Sequence, residues 1–159
     1  FKAKIKCYEQ EGRAIVYLDE SGFAKESLRT HGYAKIGTRC CGTHDWQAKG
    51  RTNVIGALLS GLLLTVALFD FNINADIFHG WVVQCLLPCV PKNSVIVMDN
   101  ASFHKRSDIQ EEIKQAGHIL EYLPAYSPDL NPIEHKWAQA KAIRRQKRCS
   151  SDELFQQLF

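Results

Sequence analysis

Two aspartates follow directly on short apolar, β-branched runs that read as buried strands: Asp19 after Ala14 to Leu18, and Asp99 after Ser94 to Met98. Burying an unpaired carboxylate is costly. At the carboxyl end of a strand in an open α/β sheet, however, such a side chain faces the crevice where ligands bind. A third carboxylate, Glu134, falls in the first turn of a long helix read from Pro132 to about Lys147, and helical side chains lean back toward the N-terminus. The 34 residues between Asp99 and Glu134 hold one helix, one strand and a proline-spaced connection, enough chain to leave a crevice and return to it. Three hard oxygen donors without a Cys or His cage suit Mg²⁺ or Mn²⁺ better than Zn²⁺. Two such ions, about 3.5–4 Å apart, can clamp a phosphodiester for in-line displacement. Asp19, on the central strand, is expected to bridge both ions, with Asp99 and Glu134 each serving mainly one.

Each carboxylate also has a plainer reading. Asp19 and the neighbouring Glu20 could end a strand as turn residues, and strand alternation sends the two to opposite faces. Asp99-Asn100 fits a turn dipeptide. Glu134 fits a capping box with Asn131. Their joint placement, rather than any one position, favours a shared metal site.

The elements that must position these residues follow from periodicity and punctuation. Val54 to Phe69 is an apolar run broken by Ser60-Gly61, too short for a membrane span of roughly 20 residues. It reads as a buried hairpin with strands Asn53 to Ser60 and Leu62 to Phe69. Ala75 to Val90 reads as a helix capped by Asn74, with Ile77, Trp81, Cys85 and Leu86 inward and Pro88 and Pro91 at its end. A second helix spans Ser107 to Ala116, stopped by Gly117, and His118 to Leu123 is a short strand. Ser150 or Ser151 caps one more helix. Three early strands on short turns pair antiparallel, and later strands separated by helices pair parallel through right-handed crossovers. The expectation is one α/β domain over residues 1–159: a mixed five-stranded sheet, three strands antiparallel and then two parallel, with helices on both faces.

Composition sets outer bounds. In 159 residues, 45% are hydrophobic and 23% charged, ordinary for a globular domain and unlike a disordered chain. The net charge of +3 favours a polyanionic partner only weakly. None of the six cysteines forms a C-x-x-C pair, and reduced, buried thiols in a cytosolic setting are the simplest reading. Cys85 and Cys89 share a helical face but would need two further ligands to hold zinc.

Three blocks carry a family resemblance: Leu18-Asp-Glu-Ser-Gly-Phe23, Met98-Asp-Asn-Ala-Ser-Phe-His104, and the long Leu123-Pro-Ala-Tyr-Ser-Pro-Asp-Leu-Asn-Pro-Ile-Glu-His-Lys-Trp137. The stretches Gly32-Tyr-Ala and Asn53-Val-Ile-Gly-Ala-Leu58 add to it. The chain resembles the bacterial insertion-sequence transposases of the mariner-like superfamily, which carry a DDE catalytic domain of RNase H-like fold. The resemblance covers nearly the whole chain and places the family triad on Asp19, Asp99 and Glu134. It implies metal-dependent cleavage at transposon ends with joining to a TA target. It also implies DNA as partner, a homodimer when full-length and DNA-bound, and a bacterial cytoplasmic, nucleoid-associated setting. The helix-turn-helix region by which such proteins recognise terminal repeats is expected to lie outside this chain.

Further residues are candidates for DNA contact: Asn100 and His104 beside the second aspartate, His135 beside the glutamate, and Lys136, Lys141, Arg144 and Arg145 along the last helix. His104 could instead orient a metal ligand or simply pack near the site. The basic residues could form a solvated helix end favoured by the dipole. Trp137, with Ile133, Ala140 and Ile143, reads as the core stripe of that helix. The polar segment Lys25 to Arg51, with Trp46, is expected either to reach across a dimer or to form a surface loop. Two other functions compete: a structure-selective nuclease or resolvase on the same fold, and a non-catalytic DNA-binding remnant of a decayed element.

Overall fold

A computed structural model describes residues 1–25 and 50–157. Five strands form one sheet: β1 (Ile15–Ala24), β2 (Arg51–Leu59), β3 (Leu62–Phe69), β4 (Val95–Met98) and β5 (Ile119–Tyr122), in the order β3-β2-β1-β4-β5. The β1–β2 and β2–β3 pairs are antiparallel, and β1–β4 and β4–β5 are parallel, as the sequence predicts. The apolar run 54–69 is indeed a hairpin. Its turn residues Ser60 and Gly61 both have positive φ, 50° and 81°, the primed geometry that matches strand twist. Among the described residues, no helix is long and apolar enough to cross a membrane.

Helices cover both faces. On one lie α2 (Ala75–Trp81), continued by a wider π-type turn over Val82–Leu86, and α3 (Ser107–Gln115). They pack Phe78, Trp81, Val82, Leu86, Ile109 and Ile113 against Val16, Leu18, Ile55 and Ile96. On the other lie α4 (Ile133–Lys147) and α5 (Ser151–Gln157), which pack Ile133, Trp137, Ala140, Leu154 and Phe155 against Phe23, Val54 and Leu58. The same face carries α1 (Lys2–Gln10), whose Ile5 meets Val95 and Val97. Periodicity does not predict α1, because Ile5 is its single buried residue.

Four expectations are corrected in detail. Strand β1 does not stop before Asp19 but runs on to Ala24, because β2 keeps pairing with it, Asp19 lying opposite Gly56. Only β4 withdraws, its register with β1 ending at Tyr17 beside Val97. In the first helix the inward face is Phe78, Trp81, Val82 and Leu86 rather than Ile77 and Cys85. The π turn holds more residues per turn than an α-helix, which leaves Leu86 rather than Cys85 buried. The cysteines are not buried: Cys7 and Cys89 are exposed, Cys85 and Cys149 half-buried, and Cys40 and Cys41 lie outside the described residues. Asn131 does not cap α4, whose N-cap is Pro132 without a side-chain bond. A reciprocal cap does form at α5, where Ser150 Oγ accepts from Glu153 N and the Glu153 carboxylate accepts from Ser150 N. Most of the segment 25–51, including Trp46 and Gly32-Tyr-Ala, lies outside the described residues.

At the base of β4 and β5, His118 is buried and its Nδ1 accepts from the backbone N–H of Ser94 at 3.3 Å. Burial lowers the His118 pKa below its ordinary value, so the folded state prefers the neutral ring. Protonation would also turn the acceptor into a donor facing a donor. A histidine depressed on folding contributes stability above its unfolded pKa of about 6.5, and that stability is lost as pH falls through the folded value. Chemical denaturation of wild type and His118→Asn, whose amide oxygen can still accept, should show wild type losing more stability than the variant as pH falls below that point. Parallel pH profiles would remove His118 as the cause.

Candidate active site

Asp19 lies on the middle strand, facing α4, and is 9% exposed. Its Oδ2 accepts a hydrogen bond of 3.0 Å from the indole Nε1 of Trp137. Trp137 is therefore more than the core residue its helical spacing suggests. It stands three positions after Glu134, so the two are neighbours on the surface of α4. The indole reaches Asp19 because the residue opposite, Gly56, has no side chain: a Cβ built there would sit 2.5 Å from the ring. Phe23 packs edge-on against the indole, with centroids 6.4 Å apart.

Asp99 follows the last residue of β4, and the β1–β4 register carries it level with Asp19. Its Oδ1 accepts from the Ala101 N–H at 3.0 Å and from His104 Nδ1 at 2.5 Å. The other ring nitrogen, Nε2, meets Glu20 Oε1 at 2.8 Å. His104 is 1% exposed and lies between the rings of Phe78 and Phe103, with centroids 4.4 and 4.2 Å away. Tyr122 holds its carbonyl through a hydroxyl bond of 3.1 Å. A buried imidazole cannot contact DNA phosphate, so of the three readings of His104 the phosphate contact is corrected: the ring packs near the site and is bonded to Asp99. It joins Asp99 to Glu20, the acidic neighbour that alternation sends to the opposite face.

Glu134 enters from the first turn of α4 and is exposed. The connection before it is pinned to the sheet at both ends. Leu123 N donates to Met98 O at 2.9 Å, and Asn131 Nδ2 donates to Leu18 O at 3.2 Å. The two accepting carbonyls belong to the residues just before Asp99 and Asp19. As a result Asp19, Asp99 and Glu134 line one open cavity of about 410 Å³, together with Asn100, Lys105 and Tyr126. Lys105 and Tyr126 were not expected from the sequence: neither belongs to an apolar period, and only the folded loops bring them to the rim.

The electrostatics of this cavity point one way. Burial, then the nearby charge of Glu134, then that of Glu20, push the Asp19 carboxyl up to about 7, against the hydrogen bonds from Trp137 and the backbone. Asp99 is held below the ordinary carboxylate range, chiefly by the His104 hydrogen bond. Burial works against a charge on His104, but hydrogen bonds to Asp99 and Glu20 outweigh it and raise the ring to about 9. The imidazolium thus supplies one positive charge shared by Asp99 and Glu20, while Asp19 has no cation beside it among the described residues. A divalent cation would relieve that shortage. Among the described residues no three His, Cys, Asp or Glu side chains are drawn together tightly enough to cage an ion alone. An open carboxylate-lined cavity of this kind suits Mg²⁺, which keeps water and substrate oxygens in its shell. The donors are all oxygens, and no zinc set forms around Cys85 and Cys89 among the described residues.

The remaining candidates disperse. Asn100 is exposed on the cavity wall. His135 and Lys136 line a different groove, with Arg13 and Tyr17, between α1, α4 and the hairpin tip. Lys141 lies over the Phe23 ring at 5.3 Å. Arg144 is corrected outright: it is 7% exposed, and its guanidinium is engaged by the carbonyls of Ala24 and Cys149, so it ties α4 to the end of β1 rather than meeting phosphate. Arg145 is exposed.

The sheet order, with acidic residues on the two central parallel strands and on the following helix, is that of an RNase H-like domain. The chain belongs to the DDE superfamily endonuclease family, whose model matches residues 14–155. Among solved structures it is similar to the Mos1 strand transfer complex, at 19% identity and a TM-score of 0.74 over 98% of this chain and 49% of that one. The Mos1 transposase paired-end complex with the left transposon end matches at 17% identity and 0.68, over 90% of this chain and 46% of that one. The catalytic domain of Mos1 mariner transposase matches at 15% identity and 0.62, covering 89% and 67%. The chain thus spans about half the length of the Mos1 chains in those complexes. No curated protein matches the sequence.

Gly56→Ala tests the packing behind Asp19. The added methyl meets a rigid, buried indole, so the variant should lose about 1–3 kcal/mol of stability by overpacking, read by urea denaturation. The same shift should pull Trp137 from Asp19 and alter the tryptophan emission of the folded state. Unchanged stability and emission would mean that the ring does not lie where described.

Proposed function

We propose that this chain is the catalytic domain of a DNA transposase that cleaves phosphodiesters at transposon ends and joins the freed 3′-ends to target DNA. The observation that carries the reading is the single cavity lined by Asp19, Asp99 and Glu134, in which Asp19 lacks a compensating charge. These three side chains would hold two Mg²⁺ or Mn²⁺ ions, with Asp19 as the shared ligand. Bound there, divalent ions would activate the attacking water or 3′-hydroxyl and stabilise the leaving oxygen. Trp137 fixes the direction of the Asp19 carboxylate, and His104 with the Ala101 N–H fixes that of Asp99. Lys105, on the cavity rim, is placed to meet a phosphate. Solved Mos1 complexes named for Mg and for Mn share this fold, which supports the choice of ion.

The finer reading extends to the whole protein. A bacterial insertion-sequence element as source, a helix-turn-helix region outside this chain, a homodimer on DNA, and work at the nucleoid are all part of the proposal. Joining of pre-cleaved ends to a target plasmid separates a transposase from a nuclease or resolvase, which would cut without joining.

Mn²⁺-dependent nicking of supercoiled plasmid is the direct test. Asp99→Ala should reduce nicking to the level seen without metal while leaving DNA binding within about twofold, since phosphate contacts dominate affinity. His104→Ala should lower activity by about 10–100-fold and raise the Mn²⁺ concentration needed, as is usual when a ligand's supporting partner is lost. Full activity in Asp99→Ala would end the proposal.

Along α4, exposed Arg145 remains a candidate phosphate contact. Arg145→Ala should reduce the slope of log affinity against log salt by about 1. Arg144→Ala should instead lower the unfolding midpoint, because its partners are backbone carbonyls. An unchanged salt slope in Arg145→Ala would leave that residue a solvated helix end.

A further inference from the structure

The loop between β5 and α4 presents one feature that the proposed chemistry does not use. Tyr126 is fully exposed, although a large aromatic ring gains most when buried. Its backbone has φ +56°, a left-handed conformation that a bulky non-glycine residue rarely adopts. Strain of this kind persists where the surroundings impose it, and it concentrates at functional sites.

The surroundings here do impose it. Leu123 is buried and bonded to Met98 O, and Asn131 is bonded to Leu18 O. Pro124 and Pro128 restrict the backbone on either side. Ser127 Oγ bonds to Ala125 O at 3.3 Å, and Leu130 N bonds to Ser127 O at 3.1 Å. The loop is therefore stapled to the two strands that carry the aspartates, and it displays the ring on the rim of the cavity they line. Lys105, exposed on the same cavity, supplies a cation for a backbone phosphate. An aromatic face beside a cation is the pairing with which proteins hold single-stranded nucleic acid.

Resting on the DNA reading above, we propose that Tyr126 is a stacking platform for an unpaired base of the DNA strand next to the phosphodiester being cut. A base within a duplex has both faces covered by its neighbours, so the platform selects a strand end that is frayed or a base that is extruded. The ligand class is a nucleobase on a single strand, with little preference among the bases, because every base offers a π-face.

The test uses oligonucleotides carrying 2-aminopurine at the terminal nucleotide, as single strands and in duplexes with that nucleotide unpaired. Binding is measured in an Asp99→Ala background to prevent cleavage. With Tyr126 present the fluorescence should be quenched on binding. Tyr126→Ala and Tyr126→Gly should each abolish the quench and raise Kd roughly fivefold to a hundredfold, while Tyr126→Phe should behave as the tyrosine. The glycine variant relieves the left-handed backbone, so equal losses in alanine and glycine place the effect on the ring. Equal binding and quench in the alanine variant would overturn the platform, as would an equal loss in the phenylalanine variant. Nicking by the chain without the Asp99 substitution reports separately on the DNA reading. If nicking is seen and the base signal does not depend on Tyr126, only the platform fails. If the chain neither nicks nor binds DNA, both fall.

Discussion

Negative charge withdrawn from water, with too little positive charge to match it, is the constraint that organises this domain. Asp19 is buried in the middle of the sheet, within electrostatic reach of Glu134 and Glu20. A carboxylate so placed either takes up a proton or finds a counter-charge. The fold supplies part of the compensation through dipoles and one cation, the indole of Trp137 on Asp19 and the imidazolium of His104 between Asp99 and Glu20. The remainder is left open to a cavity. The imidazolium offsets one of the two negative charges of Asp99 and Glu20, and Asp19, lining the cavity with Asp99 and Glu134, has no cation beside it among the described residues.

The support for this arrangement extends well beyond the cavity. Gly56 keeps the sheet clear beneath the indole, and Phe23 packs against the ring from the side. Arg144 fastens α4 to the end of β1 by its guanidinium contacts with backbone carbonyls. The carbonyls preceding the two aspartates hold the ends of the loop that delivers Glu134. The positions of the three carboxylates are thus coupled through shared backbone and shared packing, so changes at residues that touch no substrate are felt at the site.

Much of the fold was legible. Alternating and continuous apolar runs marked all five strands, and the spacing of connections separated the antiparallel half of the sheet from the parallel half. Where the reading failed, the cause was local. The polar run Asp19 to Gly22 reads as the end of a strand, yet β1 continues through it because β2 pairs with it as far as Ala24, and Asp19 and Glu20 each find a side-chain partner on opposite faces. Helix α1 leaves no periodic mark in the sequence because it buries a single isoleucine. Beyond α2 a π turn breaks the regular repeat, so Leu86 rather than Cys85 is buried there. Arg144 looked like one more basic residue on a solvated helix, since burial of a guanidinium on backbone carbonyls leaves no mark in the spacing of charges.

From the sequence alone came three candidate carboxylates and the antiparallel and parallel halves of the sheet, because these depend on residue type, periodicity and the length of connections. Tertiary structure alone decided which groups stand behind them. That Trp137 answers Asp19, that His104 turns inward to join Asp99 to Glu20, and that Tyr126 turns outward on the rim all depend on contacts between segments distant in the chain. Such contacts are set by the packing of side chains across two faces of a sheet, and no local pattern in the sequence encodes them.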